Sequence, residues 1–394
     1  MNQPSLQKIS DIADILINVK HQKQKDIGLY TGNAGIALFL FYFSQYTHSL
    51  ALHQKASEIL EMIINQIQEM PEPPFSLYSG IAGVGWFVDH LSHQGFIGEN
   101  QEEFLFGIDE YLYIKALSDL KHGSYDFIHG SMGVVLYFVK RNRKDYLRNL
   151  IQELANIAIW DEDRVKWRSL IMSEQRITGY NIALSHGITS IALVLCKIFQ
   201  IMPNDEMVKN LIKGAVAYIL HQEIPVEQFG SFFPAFSKES QPKLFKSRLA
   251  WCYGDLGVAL AIWQAGITLQ HQPWIDKGME VLLFSTHRRV LFENRVRDAG
   301  ICHGTAGIAQ IFNRLFRITK QVEFKDAADY WCTETLNMAK FEHGLAGYKA
   351  WRSEEKGGYQ LKDCLLEGIA GIGLCLLSFV MPDDPAWDEC LLLS

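Results

Sequence analysis

Seven apolar runs recur along the chain, and each follows a short glycine motif. The motif is Gly-x-x-Gly in six copies and Gly-Ile-Thr-Ser in the fourth. Neighbouring copies lie 48 to 67 residues apart, and their first glycines are Gly32, Gly80, Gly130, Gly187, Gly254, Gly304 and Gly368. Repetition at such regular intervals indicates an architecture built from one recurring structural unit.

Each repeat is predicted to contain two helices. The run after each motif is rich in Ala, Leu and Ile and does not alternate, which favours a helix buried on all sides. The stretches between the runs, such as 50–68, have a polar face and an apolar face. We therefore predict one all-α domain over residues 1–394, with seven inner helices shielded by seven outer ones. The pattern leaves open whether the pairs form a ring or an open solenoid. The apolar final repeat favours a ring.

Two segments between the repeats are less regular. Residues 160–180 contain an acidic triplet and are predicted to form a surface loop. Residues 222–246 contain three prolines and five phenylalanines and are predicted to form a long ordered loop. Long loops inside compact domains are often functional, so the stretch 229–236 is a candidate for peptide contact.

Composition narrows the classes of function. The 394 residues carry a net charge of −7 without a basic block, which argues against a nucleic-acid partner. No apolar run reaches the roughly 18 to 20 residues of a membrane span. The first residues do not form a signal peptide, so we expect a cytoplasmic protein. Seven cysteines, an odd number, argue against a disulfide framework and leave metal binding or burial.

The residues one and two positions before the first glycines should gather at one face, because the motifs lie at the same end of equivalent helices. Two neighbouring motifs carry thiols there, Cys252 and the pair Cys302-His303. Two thiols and an imidazole suit zinc, and catalytic zinc sites commonly use three protein ligands. Both cysteines are equally compatible with burial as small apolar residues. The residues alone therefore leave both interpretations open.

The motifs resemble those of the lanthionine synthetase C-like family, the lantibiotic cyclases. The resemblance runs through all seven repeats and is carried by Trp251-Cys252-Tyr253-Gly254, Ile301-Cys302-His303-Gly304, Ser185-His186-Gly187 and Gly28-Leu29-Tyr30 with Gly32. It implies an α/α toroid of seven helix-pair repeats with one zinc ion per chain. It also implies addition of a peptide cysteine thiol to dehydroalanine or dehydrobutyrine, which forms (methyl)lanthionine thioether rings.

The same resemblance implies roles for single residues. The family's zinc ligands correspond to Cys252, Cys302 and His303. Its other site residues correspond to His186, Asp126, Arg248 and Tyr253. In these roles His186 would act as acid or base, Asp126 would orient it, and Arg248 would stabilise enolate charge.

This sequence departs from the family pattern at two motif positions. Ser190 replaces the second glycine of the fourth motif, which concerns packing. His129 stands where an acidic residue would be unsurprising, and its role stays open.

The expected partners are a dehydrated precursor peptide, a separate dehydratase and an exporter that would bring the protein to the membrane surface. The repeats use nearly the whole chain, which leaves no room for a fused dehydratase.

Three alternatives to this function stay open. In the first, the protein has the same fold but adds glutathione to dehydrated residues, or only binds peptide or glutathione. Another α/α ring enzyme, such as a prenyltransferase or a glycosidase, would be expected to have six repeats. A non-catalytic helical scaffold is the third alternative.

Overall fold

The computed structural model describes residues 2–18, 26–98, 101–172, 177–241, 243–383 and 385–394. Over these residues the chain is mainly helical, with three short two-stranded sheets. The residues group into two compact units, which are described separately. Unit 1 comprises Met1–Leu105 and Val296–Ser394, and unit 2 comprises Phe106–Arg295. A single domain over residues 1–394 stays a prediction.

The predicted inner helices are present, and each begins directly after the first glycine of its motif. In unit 1 they are α2 (Asn33–Thr47), α4 (Ile81–His93), α13 (Thr305–Thr319) and α15 (Ile369–Val380). In unit 2 they are α6 (Ser131–Lys140), α8 (Ile188–Ile201) and α11 (Asp255–Leu269). Most of their side chains are buried, which explains why the runs lack a polar face.

A returning loop closes onto the start of these helices. The amide of the first helical residue donates to the carbonyl six residues before the motif glycine. Five such bonds, of 2.8 to 3.1 Å, join Asn33 to Asp26, Ile81 to Pro74, Ile188 to Asn181, Thr305 to Asp298 and Ile369 to Lys362. A Cβ atom at Gly304 would collide with Asp298. Glycine is therefore required there by the close approach of the loop.

Three outer helices cover the inner row of unit 1, in which α13, α15, α2 and α4 are successive neighbours. Helix α3 (Leu50–Glu69) packs on α2, and α14 (Val322–Asn337) packs on α13. The third, α1 (Asn2–Asn18), packs on α15 through the face that holds Ile9, Ile12 and Leu16. The expectation of an outer helix after every inner one is wrong for the last repeat. After α15 the chain continues into a buried 3-10 turn, Ala386–Leu391, and not into an outer helix. Helix α1 takes the place of that outer helix and covers α15.

Unit 2 follows the predicted pairing. Its inner helices α6, α8 and α11 are neighbours in that order. Their outer partners are α7 (Lys144–Asn156), α9 (Glu206–His221) and α12 (Gln272–Ser285). Helix α5 (Glu102–Lys121) belongs to this unit from Phe106 onward, and a single helical turn, α10 (Val226–Phe229), lies in the long loop before α11.

The prediction of a plain surface loop at residues 160–180 is wrong. This segment forms two antiparallel hairpins, although residues 173–176 lie outside the described part. The first pairs β1 (Ile159–Asp161) with β2 (Arg164–Lys166), and β2 packs on α9. The second pairs β3 (Ser169–Met172) with β4 (Ile177–Gly179).

Unit 1 has one small sheet of its own, in which β5 (Ala350–Trp351) pairs with β6 (Tyr359–Gln360). Among the described helices, none combines the length and apolar character needed to cross a bilayer.

Candidate functional site

Backbone hydrogen bonds join the motif loops side by side within each unit. In unit 1 the amide of Cys302 donates to the Leu366 carbonyl at 2.9 Å, and the Leu366 amide donates to Tyr30 at 3.0 Å. The Tyr30 amide in turn donates to Tyr78 at 3.0 Å. All four residues stand two positions before their motif glycine. The predicted gathering of these positions is therefore observed within this unit.

The corresponding contact in unit 2 brings two predicted site segments together. Both the amide and the hydroxyl of Ser185 donate to the Cys252 carbonyl, at 3.2 and 3.1 Å. This contact places the Ser185-His186 loop directly against the Cys252-Tyr253 loop. Gly254 ends the second loop with a φ of 99°, which glycine adopts far more readily than other residues.

A cavity of about 580 Å³ opens in unit 2 at these loops. This volume lies in the range usual for small-molecule and substrate sites. Its wall is mostly polar and includes His122, Ser124, Asp126, His129, Ser169, Asn181, His186 and Tyr253. Three of the four residues predicted to take part in catalysis therefore line one space. The fourth, Arg248, is half-buried in the loop before Gly254 and is not among the lining residues.

His186 and Asp126 form a hydrogen-bonded pair in the cavity wall. Nδ1 of His186 lies 2.7 Å from Oδ2 of Asp126. The other carboxylate oxygen accepts the backbone amides of Ile128 and His129, each at 2.8 Å. These bonds fix the carboxylate, and the carboxylate fixes the proton of the imidazole on Nδ1. Nε2 of His186 is then the nitrogen that could accept or donate a proton in the predicted acid–base role.

The contact between the two residues raises the pKa of His186 and lowers that of Asp126, so each residue is stabilised in its charged form. Burial alone lowers the pKa of His186, but the hydrogen bond and the charge of Asp126, with a further contribution from Cys252, raise it above its ordinary value. Burial alone raises the pKa of Asp126, but the bonds from His186 and from the backbone lower it overall. His186 therefore keeps its proton to a higher pH than an isolated histidine.

Replacing Asp126 with asparagine should move the alkaline limb of the pH–rate profile to lower pH. The protonated form of His186 is the one that can donate, and it is lost as the pH rises through the pKa of that residue. Without the negative charge of Asp126 this pKa falls, so activity is lost at a lower pH. The measurement is kcat/KM, from pH 5 to 9, for the ring closure that the family resemblance implies.

Asp119→Asn is the control for this experiment. Asp119 lies on the preceding helix α5, and burial raises the pKa of its carboxyl group, but it does not bond His186. Its substitution should leave the alkaline limb in place. An Asp126→Asn profile that overlays the wild-type profile would remove His186 as the titrating acid.

Tyr253 is held in the cavity wall by contacts on both sides. The Asn181 amide group donates to the Tyr253 hydroxyl oxygen at 3.2 Å, and the other end of that amide accepts the Ala183 backbone N–H at 2.8 Å. The rings of Phe236 and Tyr253 pack edge to face, with 5.7 Å between their centroids. The predicted ordered loop thus contributes to the site through Phe236.

The same loop is anchored to the first turn of α11. The amides of Phe232 and Phe233 donate to the two oxygens of the buried Asp255 carboxylate, at 3.0 and 2.9 Å. Arg288 completes this arrangement with an ion pair of 3.0 Å to Asp255. The phenylalanine-rich loop is therefore ordered, as predicted, although Pro242 within it lies outside the described residues. Peptide contact by the stretch 229–236 stays a prediction.

Two histidines of the cavity wall were not assigned a role from the sequence. The ring of His129 stacks on that of His186, with 5.8 Å between the ring centroids and an angle of 18° between the ring planes. Burial and then the charge of His186 lower the pKa of His129, against an opposing effect of Asp126. His122 lies at the end of α5, where its Nδ1 contacts the Ser118 carbonyl at 2.7 Å. His129 could have been selected from the sequence, because it stands directly before the motif glycine Gly130. No sequence pattern distinguishes His122.

The Cys302-His303 loop of unit 1 has a different environment. Nε2 of His303 lies 3.3 Å from the carbonyl oxygen of Trp351 and 3.4 Å from Oδ2 of Asp298. Trp351 is distant in the sequence from the motif, whereas Asp298 lies six residues before Gly304, and neither residue is predicted from the sequence as part of the site. The half-buried imidazole is thus held from one side by two oxygen acceptors.

Cys252 in unit 2 and the Cys302-His303 pair in unit 1 stay the predicted metal ligands. Two thiols and an imidazole are the donor set that zinc favours, so the chemistry of these residues fits that ion. Most other cysteines are poorer candidates, because burial raises the pKa of Cys196 and Cys332 to about 12 and that of Cys364 to about 11. These values disfavour the thiolate form that a metal needs.

Comparisons with known proteins converge on one family. A family model described as lanthionine synthetase C-like protein matches residues 23–392. The nisin biosynthesis protein NisC of Lactococcus lactis subsp. lactis is 24% identical over 95% of this chain and 91% of its own length. The protein named glutathione S-transferase LANCL1 of Danio rerio is 21% identical over 79% of this chain and 76% of its own length.

The fold is shared with a solved structure of a nisin cyclase. The two chains superimpose with a TM-score of 0.75 at 20% identity, over 98% of this chain and 97% of the other. This likeness confirms the predicted fold class, an all-α protein of the α/α-toroid type.

Proposed function

Since the chain belongs to the lanthionine synthetase C-like family, we propose that it closes thioether rings in a dehydrated precursor peptide. The reaction forms a bond between a cysteine sulfur of the peptide and the β-carbon of dehydroalanine or dehydrobutyrine. The carbon–carbon π bond breaks, and the proton that the thiol loses is balanced by a proton added at the α-carbon. The observation that carries this proposal is the Asp126–His186 pair, which lines a polar cavity beside the Cys252-Tyr253 loop.

His186 would protonate the α-carbon. Attack on the β-carbon leaves negative charge on the α-carbon and its carbonyl oxygen, so the second half of the reaction needs an acid. The raised pKa of His186 keeps a proton available near neutral pH, and Asp126 holds the ring by its other nitrogen. The same imidazole, once neutral, can accept the proton of the next substrate thiol.

Tyr253 and Arg248 would stabilise the enolate oxygen. The Asn181 amide donates to the phenol oxygen of Tyr253 and so fixes the position of the hydroxyl group that would donate to the substrate. Tyr253 lines the same cavity as His186. Arg248 adds a positive charge in the adjoining loop, six residues before Gly254. Donors fixed before the reaction are effective at such a charge, because they need no reorganisation.

Cys252, Cys302 and His303 would hold one zinc ion per chain. When bound, zinc favours the thiolate form of a further thiol at neutral pH, where a free thiol is only a few per cent ionised. Three protein ligands leave a position for the sulfur of the substrate. The donor chemistry of the three side chains supports this assignment.

The substrate class follows from the chemistry. The reaction consumes dehydroalanine or dehydrobutyrine, so a separate dehydratase acting on serine or threonine must come before it. The product is a cross-linked peptide, which an exporter would take up. A cavity of about 580 Å³ accommodates a few residues of such a peptide at a time.

A second candidate function is transfer of glutathione to dehydrated residues. It is favoured by the likeness to the LANCL1 protein of Danio rerio, which is named as a glutathione S-transferase. The chemistry at the α- and β-carbons would be the same, and only the source of the thiol would differ. The experiment below separates the two donors.

The test is incubation of the purified protein with a peptide that contains one dehydroalanine and one cysteine, followed by thiol alkylation and mass measurement. Ring closure leaves the mass of the peptide unchanged and removes the alkylatable thiol. A peptide with alanine in place of dehydroalanine is the control and should remain fully alkylated.

A second arm contains glutathione and a dehydrated peptide without cysteine. Suppose that glutathione is added to that peptide while the peptide of the first arm remains fully alkylated. The protein is then a glutathione transferase and does not close rings. Full alkylation in the first arm without any glutathione adduct in the second contradicts both functions.

A further inference from the structure

We infer that Asp298 is a positioning residue that makes Nδ1 of His303 the atom through which this histidine binds metal. The inference rests on the proposed zinc site and deepens it, since it names the ligand atom and the group that selects it. All residues involved lie in unit 1.

The first support is the pair of acceptors at Nε2. The carbonyl oxygen of Trp351 and the carboxylate of Asp298 lie 3.3 and 3.4 Å from this nitrogen. A carbonyl and a carboxylate only accept hydrogen bonds, so they favour the tautomer with its hydrogen on Nε2. A neutral imidazole has one N–H and one nitrogen lone pair. The lone pair that a metal requires is then on Nδ1.

The second support is that Asp298 is itself held in place. Its side chain is almost fully buried, with 2% exposed. Oδ1 accepts the Gly300 amide at 3.0 Å, and Oδ2 accepts the Trp351 amide at 2.6 Å. Trp351 therefore donates to Asp298 with its N–H and offers its carbonyl to His303. The three residues form one connected cluster, so the imidazole cannot turn over without losing the contacts of Nε2 with Trp351 and Asp298.

The third support is a comparison with equivalent loops of the same chain. Asn181 occupies the position that Asp298 occupies, six residues before its motif glycine, and its Oδ1 accepts the Ala183 amide at 2.8 Å. Asp26 accepts the Gly28 amide in the same way at 2.9 Å. A carboxamide is therefore sufficient to form this turn. The second carboxylate oxygen of Asp298 serves a different purpose, namely its contacts with Trp351 and His303.

This comparison makes Asp298→Asn a selective variant. The new amide oxygen can replace Oδ1 at the Gly300 amide, as Asn181 does in its own loop. The new NH2 group would then face two other donors, the Trp351 amide and the Nε2 hydrogen of His303. The turn is kept, and the support of the imidazole is lost. Asp26→Asn is the matched control, because it changes the equivalent carboxylate in a loop that contains no zinc-ligand candidate.

Zinc affinity, measured by competition with a chromophoric chelator, provides the first readout. We expect Asp298→Asn to bind zinc about 10- to 100-fold more weakly than the wild type, and Asp26→Asn to stay within about twofold of it. Thermal melting of all three proteins without metal checks that the fold is retained.

The second readout does not depend on any variant. Two-bond proton–nitrogen correlation spectra of wild-type protein with ¹⁵N-labelled histidine report the protonation of each ring nitrogen. We expect Nε2 of His303 to carry hydrogen before and after zinc is added, and the Nδ1 signal to move on zinc addition.

The outcomes distinguish this inference from the proposed function. If wild-type protein binds zinc through Nε2 of His303, or if Asp298→Asn binds as tightly as wild type, the positioning role is wrong and the zinc site stands. If wild-type protein binds no zinc, both the zinc site and the positioning role are wrong, whatever the ring-closure assay gives.

Discussion

His186→Ala will abolish ring closure and leave the zinc content of the protein unchanged. The variant removes the only imidazole that Asp126 holds by a side-chain hydrogen bond among the described residues of the cavity wall. Loss of a positioned general acid typically slows a reaction by about 10²- to 10⁴-fold. The rate is measured from the loss of alkylatable thiol in a dehydrated peptide, and zinc is measured by elemental analysis of the same preparation.

His221→Ala is the control, because this exposed histidine ends α9 and does not line the cavity. It should close rings at the wild-type rate. Should His186→Ala also do so, the proton transfer must be assigned to another group. His129, whose ring stacks on that of His186, is the first residue to substitute in that case.

Cys302→Ala will lose zinc together with ring closure. The wild-type chain is expected to carry one zinc ion, and the variant retains only Cys252 and His303 of the three proposed ligands. Two ligands rarely suffice for tight binding, since protein zinc sites commonly use three or four. Without the metal the substrate thiol is left near its ordinary pKa, mostly un-ionised at neutral pH.

The control is Cys364→Ala, which removes a buried thiol whose pKa is raised to about 11. This variant should keep one zinc ion per chain, as determined by elemental analysis against protein concentration. A Cys302→Ala protein that still carries a full equivalent of zinc would exclude Cys302 as a ligand. A wild-type protein with clearly less than one equivalent would contradict the whole ligand assignment.

The helical core was predictable because its signal is local. Each inner helix begins after a motif glycine and consists of consecutive apolar residues, as α2 and α15 do. Neither feature depends on distant parts of the chain.

The partner of α15 was not predictable, because it comes from the opposite end of the sequence. Helix α1 shows the amphipathic spacing of an outer helix at Ile9, Ile12 and Leu16, but no periodicity indicates which inner helix it covers. The hairpins at 159–179 were missed for another reason. Their strands are three or four residues long, too short for an alternating pattern to stand out.

The candidate site also has residues that the sequence could predict and contacts that it could not. Cys252, Cys302, His303 and His186 stand one or two positions before motif glycines, so the repeat and the family resemblance mark them as candidates. Asp126 and His186 meet across 60 residues of sequence. Contacts such as that of Asn181 with Tyr253, or of Asp298 with His303, depend on how loops close in space. A sequence pattern carries no signal for such contacts, since any of several polar residues could have made them.

The position of α1 on α15 also sets an order for synthesis on the ribosome. Unit 2 is one uninterrupted stretch of chain, so its residues are complete once Arg295 has been added. Helices α1 and α2 are made first but must wait for α15. At about 5–20 residues per second, the delay between α2 and α15 is roughly 15 to 60 s. During that time the apolar face of α1 lacks its final neighbour, and protection by a chaperone would be most valuable then.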